Sequence, residues 1–324
     1  MDLDKPTPLT ADLPHFESAD AFPKVDCAAL SRLLPTADFT QLKSVEAQLA
    51  VGKDDAAVAH VRELVQSGKS PGNLRLCLLE SVRDRNERLA QVLVSGGAKF
   101  DVEVVKAAIL NEALPLLSLL RRCGWDVNEP EAWCLPPLLS YAIMHSIEVG
   151  RILADAESNF SYAITKEPTD QLLSWFLEND ADPNAICMLD DTPLSTAVAR
   201  ASGPVVKRLL AACPAHSALG GQLLHFAAGR KEVQDHDDIL NLVLDTGHFD
   251  VNEIMYSTHR FSFETRKVVG LGTPLHEAAK RGRCRTIKTL LDHGAKKTIL
   301  DTRNETAFQI AKRHGHHACA ELLL

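Results

Sequence analysis

Short blocks of apolar residues at helical spacing, separated by small turns, run along most of the chain. The first clear block consists of Val58, Val61, Leu64 and Val65, with apolar positions three and four residues apart as on one face of a helix. The block ends at Ser67-Gly68, and glycine is the usual residue where a helix closes in the left-handed conformation. From Asp54 onward the pattern predicts a succession of short helix pairs.

The pattern also divides the chain. Residues 1–36 contain five prolines and no sustained periodicity, which predicts an extended arm, so we assign 1–53 to this arm and a capping segment. Residues 54–324 are then an array of seven to nine units, the range arising because 137–185 show one opening and one closing turn in the space of two units. The stretch 252–272 is longer than the other connections and is expected to project as a long loop.

The array carries a repeated phrase. Thr273-Pro274-Leu275-His276-Glu277-Ala278-Ala279 is followed 33 residues later by Thr306-Ala307-Phe308-Gln309-Ile310-Ala311, and Thr192-Pro193-Leu194 and Leu223-Leu224-His225 open earlier blocks. A period of 33 residues with T-P-L-H-x-A is the signature of ankyrin repeats. The chain therefore resembles the ankyrin-repeat family, strongly over about 270–324 and by rhythm over 54–270. At Asn304 the family expects glycine, and asparagine also tolerates a positive φ.

The resemblance implies an all-α solenoid of stacked helix-turn-helix units with projecting β-hairpin or loop fingers. It also implies that His225 and His276 tie neighbouring units by hydrogen bonds, and that the variable positions of each first helix face a concave groove. A protein partner would bind in that groove and along the fingers. The expected partner-binding residues are Arg200, Phe226, Arg230, Arg260, Phe261, Phe263, Arg266, Glu277, Lys280, Arg281 and Arg313.

Charge is unevenly distributed along the array. The net charge is −8, but residues 260–324 carry 13 Lys and Arg against 6 Asp and Glu. This basic end favours an acidic segment on the partner, above all against Arg230, Lys280, Arg281 and Arg313. Aromatic residues make up only 5% of the chain, which together with the overall acidity argues against nucleic acid as the partner. The oligomeric state is left open.

Cysteine usage and hydropathy bear on the compartment. The eight cysteines are scattered without a C-x-x-C pair, mostly in apolar runs, which is typical of free thiols in a reducing environment. The N-terminus has no signal-peptide pattern and no apolar stretch reaches membrane-spanning length. We expect a cytoplasmic or nuclear protein that is neither secreted nor bound to a membrane.

Candidate chemistry is sparse. Ser67-Gly68-Lys69-Ser70 lacks the first glycine and the strand of a phosphate-binding loop, and His276-Glu277 lacks the second histidine of a zinc helix. The histidines at 293, 314, 316 and 317 have no partner that completes a zinc site. The pairs Asp54-Asp55, Asp190-Asp191 and Asp237-Asp238 are expected at helix starts. We therefore assign no catalytic residue, metal or cofactor.

Alternatives remain at three points. A diverged enzyme could enclose a small molecule between the groove and the 252–272 loop. Phe261 and Phe263 could anchor a partner or fold back over the helices. Among the tryptophans, Trp175 lies in an apolar helical run and is expected in the core, whereas Trp133 is expected on the surface.

Overall fold

The computed structural model describes residues 37–68, 71–147, 169–213, 219–230 and 236–324. In these ranges the chain consists of short helices arranged in pairs and one two-stranded hairpin. The predicted arm at 1–36 lies outside the described residues. Much of the ambiguous stretch does too, since 148–168 are not described.

Each pair has a first and a second helix. The first helices are Lys43–Ala50, Pro71–Arg83, Val102–Leu110, 139–147, Pro193–Arg200, Leu223–Ala228, Pro274–Lys280 and Ala307–Arg313. The second helices are Asp54–Gln66, Glu87–Ser95, Leu114–Arg122, Thr169–Glu178, Gly203–Ala212, His236–Asp245, Cys284–Asp292 and His317–Leu323. A 3₁₀ helix, Phe39–Leu42, precedes them. Strands Pro130–Ala132 and Leu135–Pro137 pair antiparallel, with Pro130 opposite Pro137.

The pairs stack in a row. From Pro193–Arg200 to the last pair, each first helix contacts the next first helix, and the second helices form a parallel row beside them. The buried apolar side chains join into one cluster along the stack. The all-α solenoid predicted from the repeated phrase is therefore confirmed. Helix Lys43–Ala50 packs on Asp54–Gln66, so helices contact each other across the predicted boundary at residue 53, and both the boundary and the unit count stay predictions.

Threonine starts three of the first helices for a clear physical reason. Thr192 Oγ1 accepts a hydrogen bond from the Ser195 backbone N–H at 2.9 Å, while Ser195 Oγ accepts one from the Thr192 N–H. Thr306 and Gln309 form the same reciprocal box. These bonds satisfy donors that the first turn of a helix leaves free.

The histidine of the repeated phrase links successive units. His276 Nδ1 accepts a hydrogen bond from the Thr273 backbone N–H at 3.0 Å, so the ring proton resides on Nε2. Nε2 then donates to the Glu305 carbonyl in the next finger at 3.2 Å. His225 Nε2 lies 3.0 Å from the Glu253 carbonyl, one unit earlier. The predicted tie between units is confirmed at both positions.

Asparagines in the closing turns form a second link between successive units, which was not among the predictions from sequence. Asn128 donates to the Asp180 carbonyl at 2.9 Å and accepts from the Asp182 N–H at 2.7 Å. Asn252 repeats the arrangement, donating to the Gly294 carbonyl and accepting from the Lys296 N–H. Each asparagine thereby joins its own turn to the closing turn of the following unit.

The stretch 252–272 is not the projecting loop that its length suggested. It contains helix Arg260–Arg266 and a 3₁₀ turn, Lys267–Val269. The segment folds against its neighbours because polar contacts hold it at several points. Tyr256 is buried and donates its hydroxyl to Asp191 at 3.2 Å, and Arg266 pairs with the same carboxylate at 3.1 Å.

Two cysteines also differ from expectation. Cys284 and Cys319 form a disulfide between the second helices of the last two pairs, with Cα atoms 4.9 Å apart. The prediction of free thiols is therefore wrong for this pair. Packing explains the pairing, because the second helices of adjacent units contact one another and the two residues occupy facing positions. Among the described cysteines, 77, 123, 134, 187 and 213 are free.

Buried His225 predicts a loss of stability in acid. Burial lowers the pKa of His225 to about 4, whereas an unfolded histidine titrates near its ordinary value. The unfolded state therefore gains a proton first, and the free energy of unfolding should fall by about 3 kcal/mol as the pH drops from about 6.5 to about 4. His225→Gln, which still donates to the Glu253 carbonyl, should flatten that slope in urea unfolding. The exposed His293→Gln is the control, and equal slopes for all three proteins would contradict the assignment.

Candidate functional site

The exposed face of the first helices carries three cations that form no ion pair with a described residue. Arg200 is exposed at the end of Pro193–Arg200, and Lys280 and Arg281 are exposed at the end of Pro274–Lys280. No carboxylate among the described residues lies within ion-pair distance of any of the three. Each can therefore present its full charge to a partner.

Arg230 does not belong to this face, which corrects the sequence interpretation. Its side chain is only 2% exposed and its guanidinium donates to the Val198 carbonyl at 2.7 Å and the Ala201 carbonyl at 2.5 Å. These carbonyls lie at the C-terminal end of the preceding first helix, where backbone acceptors lack helical partners. Arg230 thus joins two units from inside the stack.

Arg313, Glu277 and Phe226 have partial exposure. Arg313 is about half exposed, and its guanidinium forms two hydrogen bonds to Glu305 at 3.0 and 2.9 Å. Glu277 is half-buried beside Gly229, and Phe226 packs against the core. Of these three residues, Arg313 is already paired with Glu305 and the Phe226 ring is partly packed, whereas Glu277 is only half-buried.

Positive charge accumulates towards the last two units. The pKa of His314 is lowered by desolvation first and then by its neighbours Arg313, His316 and Lys280, while Glu305 acts in the opposite direction. Lys280 and Arg281 belong to residues 260–324, which carry 13 Lys and Arg against 6 Asp and Glu. This end of the face therefore lies in the basic part of the chain.

The four predicted binding residues of the 252–272 segment differ in exposure, and some are held by contacts within the protein. Arg260 and Phe261 are exposed, and the Phe261 ring meets Trp133 edge to face with centroids 6.3 Å apart. Phe263 is half-buried, and Arg266 is held by Asp191 and by the hydroxyl of Tyr256. Of the two phenylalanines, Phe261 thus remains accessible.

The tryptophans lie where the sequence pattern placed them. Trp133 is 61% exposed on the hairpin. Trp175 is buried and its ring stacks parallel to Trp125, with centroids 6.2 Å apart. Its indole N–H donates to Ser118 at 2.9 Å, which satisfies its one polar group. Both expectations are confirmed.

A small cavity lies beneath the fingers. It has a volume of about 170 Å³ and its polar lining includes Asp190, Gln222, His225 and Glu253. Small-molecule sites are typically larger, about 300–1,000 Å³. Asp190 already accepts from Gln222 at 2.8 Å and His225 is engaged with Glu253. The cavity is thus smaller than a typical small-molecule site, and two of its titratable side chains, Asp190 and His225, are already hydrogen-bonded within the protein.

Metal ligands are likewise not assembled in the part of the chain that the structure describes. No group of three or more His, Cys, Asp or Glu residues is arranged to hold an ion there. The rings of His314 and His316 stack on each other, with centroids 6.3 Å apart.

Some residues that shape the surface were not found from sequence. Asp191 directly precedes Thr192, the N-cap of helix Pro193–Arg200, as predicted, but its carboxylate also holds Tyr256 and Arg266, which the sequence does not indicate. No local signal marks this trio, because Asp191 lies 65 residues before Tyr256 and 75 residues before Arg266. The asparagine links could have been found, since Asp-Val-Asn occurs at both 126–128 and 250–252.

Comparison with known proteins agrees with this architecture. Residues 247–324 match the family model described as "Ankyrin repeats (3 copies)". Residues 247–324 carry ankyrin repeats. Such repeats generally act as protein–protein interaction modules. No helix in the described ranges has the length and apolar character of a membrane span.

Individual relatives share short regions with this chain. XBAT34 of Arabidopsis thaliana, named as a proposed E3 ubiquitin-protein ligase, is 51% identical over 45 residues, 14% of this chain and 12% of that protein. XBAT35 of the same plant, which is named in the same way, is 33% identical over 99 residues. These residues make up 30% of this chain and 21% of XBAT35. The espin-like protein of Homo sapiens is 40% identical over 52 residues, which make up 16% of this chain and 5% of that protein. The chain spans about a fifth or less of each relative's length, so the similarity does not extend their activities to it.

Proposed function

We propose that this chain is a non-enzymatic binding module that holds an acidic segment of a partner protein against the Lys280–Arg281 end of its first-helix face. The observation that carries the proposal is the exposure of Lys280 and Arg281, with no carboxylate of the described ranges within ion-pair distance of either. Unpaired cations on a rigid face attract a partner's carboxylates without first breaking an ion pair. Arg200 extends the same charge towards the N-terminal units.

Rigidity favours this mode of binding. Hydrogen bonds from His225, His276, Asn128 and Asn252 join successive units, so the face is held in one arrangement before a partner arrives. A pre-organised surface loses little conformational entropy on binding. Contacts of charged groups at the rim should mainly raise the association rate and make it sensitive to salt.

Charge reversal tests the proposal. Partners are captured from cell extract on the wild-type protein and identified by mass spectrometry. Lys280→Glu combined with Arg281→Glu should then lower the affinity of a purified partner by about tenfold to a hundredfold, because two attractive contacts become repulsive. The affinity of the wild type should also fall as salt concentration rises.

The matched control carries the same charge change elsewhere. Lys288 on a second helix and Lys296 in a closing turn are exposed and have no ion pair with a described residue. Lys288→Glu with Lys296→Glu should leave the affinity within about threefold of wild type. Equal losses for the two double variants would show that only net charge matters and would remove the first-helix face from consideration.

A further inference from the structure

The finger side of the stack exposes a cluster of large apolar side chains. Among the described residues, five of these lie on three fingers that contact one another, and we call them the apolar ridge: Trp133, Leu135, Ile186, Met188 and Phe261. They are between 44% and 61% exposed. Single exposed apolar residues are ordinary, but a contiguous group on a soluble protein commonly marks an interaction site.

Direct contacts join the three fingers that carry the ridge. The Met188 backbone N–H donates to the Trp133 carbonyl at 2.9 Å, which joins the hairpin to the next finger. The Trp133 and Phe261 rings meet edge to face, which joins the hairpin to helix Arg260–Arg266. The Asp191–Arg266 ion pair fixes that helix against the finger that carries Met188. Three stretches distant in sequence therefore present one surface.

The segment that carries Phe261 has one buried side and one exposed side. Tyr256 and Ser262 of the same segment are buried, so the segment folds inward on one side while Phe261 faces outward. Beyond the ridge, Val268 and Val269 are also exposed, at 73% and 62%. Chain folding alone thus leaves apolar surface in water along this edge, where covering it would be favourable.

The charges around the ridge indicate what covers it. Asp190, Asp191 and Glu264 all have internal partners, so the nearby carboxylates are already engaged. Arg260, next to Phe261, is exposed and has no carboxylate of the described residues within ion-pair distance. The surface therefore combines apolar anchors with the exposed Arg260, which lies in the electrostatic range of Glu264 but forms no ion pair with a described residue.

We propose that the apolar ridge is a second docking surface, which binds a protein segment carrying bulky apolar side chains beside an acidic residue. Aromatic anchors on the ridge pack against the segment's apolar side chains, and Arg260 pairs with its carboxylate. Trp, Phe and Arg are the residues whose removal most often weakens an interface. The ridge is separate from the Lys280–Arg281 face, so this assignment stands whether or not the proposal for that face holds.

Peptide selection tests the assignment. Random peptides displayed on phage are selected on the purified full chain, and recovered sequences are synthesised with a fluorescent label. The expected peptides combine aromatic or aliphatic residues with Asp or Glu. Trp133→Ser with Met188→Ser should weaken their binding by tenfold or more, and Phe261→Ser alone should weaken it as well. Arg260→Glu should do so only for peptides that retain their acidic residue.

Controls distinguish the ridge from general surface hydrophobicity and from folding damage. Val51→Ser with Leu110→Ser changes two apolar residues of similar exposure outside the fingers and should leave binding unchanged. Thermal unfolding should be the same for all variants, and Lys280→Glu with Arg281→Glu should not alter peptide binding.

Several results would overturn the proposal. One such result is that the selected peptides lack acidic residues. Another is that Trp133→Ser with Met188→Ser binds the peptides as tightly as the wild type. A third is that Val51→Ser with Leu110→Ser weakens binding as much as the ridge variant does. Self-association of the wild type in sedimentation equilibrium that Trp133→Ser abolishes would assign the ridge to a second copy instead. Ridge-dependent binding to phosphatidylserine-containing vesicles would assign it to a lipid surface.

Discussion

Replacing Arg230 with alanine should lower the free energy of unfolding by about 3 kcal/mol. The buried guanidinium donates to the carbonyls of Val198 and Ala201, and Arg283 donates in turn to the Arg230 carbonyl at 3.1 Å. Alanine would leave two buried acceptors unsatisfied and open a cavity between two units. Urea unfolding followed by circular dichroism measures the change.

Arg200→Ala is the matched control. Arg200 occupies the end of the preceding first helix but is exposed, so its removal should change stability by less than about 0.5 kcal/mol. If both variants are equally stable, Arg230 does not act as an internal link. A charge-reversal experiment that includes Arg230 would also be misleading, since lost binding would report unfolding.

The disulfide between Cys284 and Cys319 should stabilise the C-terminal units by about 4 kcal/mol under oxidising conditions, given a sequence separation of 35 residues. The bond limits the conformations open to the unfolded segment between the two helices. Urea unfolding of the wild type with and without reductant gives the difference, and alkylation followed by peptide mass spectrometry reports the state of each thiol.

Cys284→Ser combined with Cys319→Ser provides the reference. The stability of this variant should not respond to reductant and should be close to that of the reduced wild type. Alkylation of Cys284 and Cys319 in the non-reduced, folded protein would contradict the pairing.

Short sequence patterns predicted those features of the fold that depend on residues close together in the chain. The repeated phrase around Thr273 and His276 indicated helix starts and ties between units, because an N-cap and the residues after it interact within one turn. Asn304 has φ of 60°, as expected for a residue that replaces glycine in a tight turn. The 33-residue period likewise predicted a row of helix pairs, since each unit contacts mainly its neighbours.

Long-range contacts explain the errors. Arg230 and Arg281 both stand five residues after the histidine of the phrase, yet helix Leu223–Ala228 ends one position earlier relative to that histidine than Pro274–Lys280 does. Arg230 therefore turns inward where Arg281 stays exposed. The 252–272 segment was predicted to project because its anchors, Asp191 above all, are distant in sequence. The pairing of Cys284 with Cys319 likewise depends on how adjacent units face each other.

Zero-length cross-linking of the captured partner tests the central claim most directly. A carbodiimide joins a lysine ammonium to a carboxylate in contact with it, and mass spectrometry identifies the joined residues. The proposed mode of binding predicts cross-links from Lys280 to an acidic segment of the partner, and none from Lys288 or Lys207 on the second helices. Cross-links from Lys288 or Lys207 with Lys280 unmodified would contradict binding at the first-helix face.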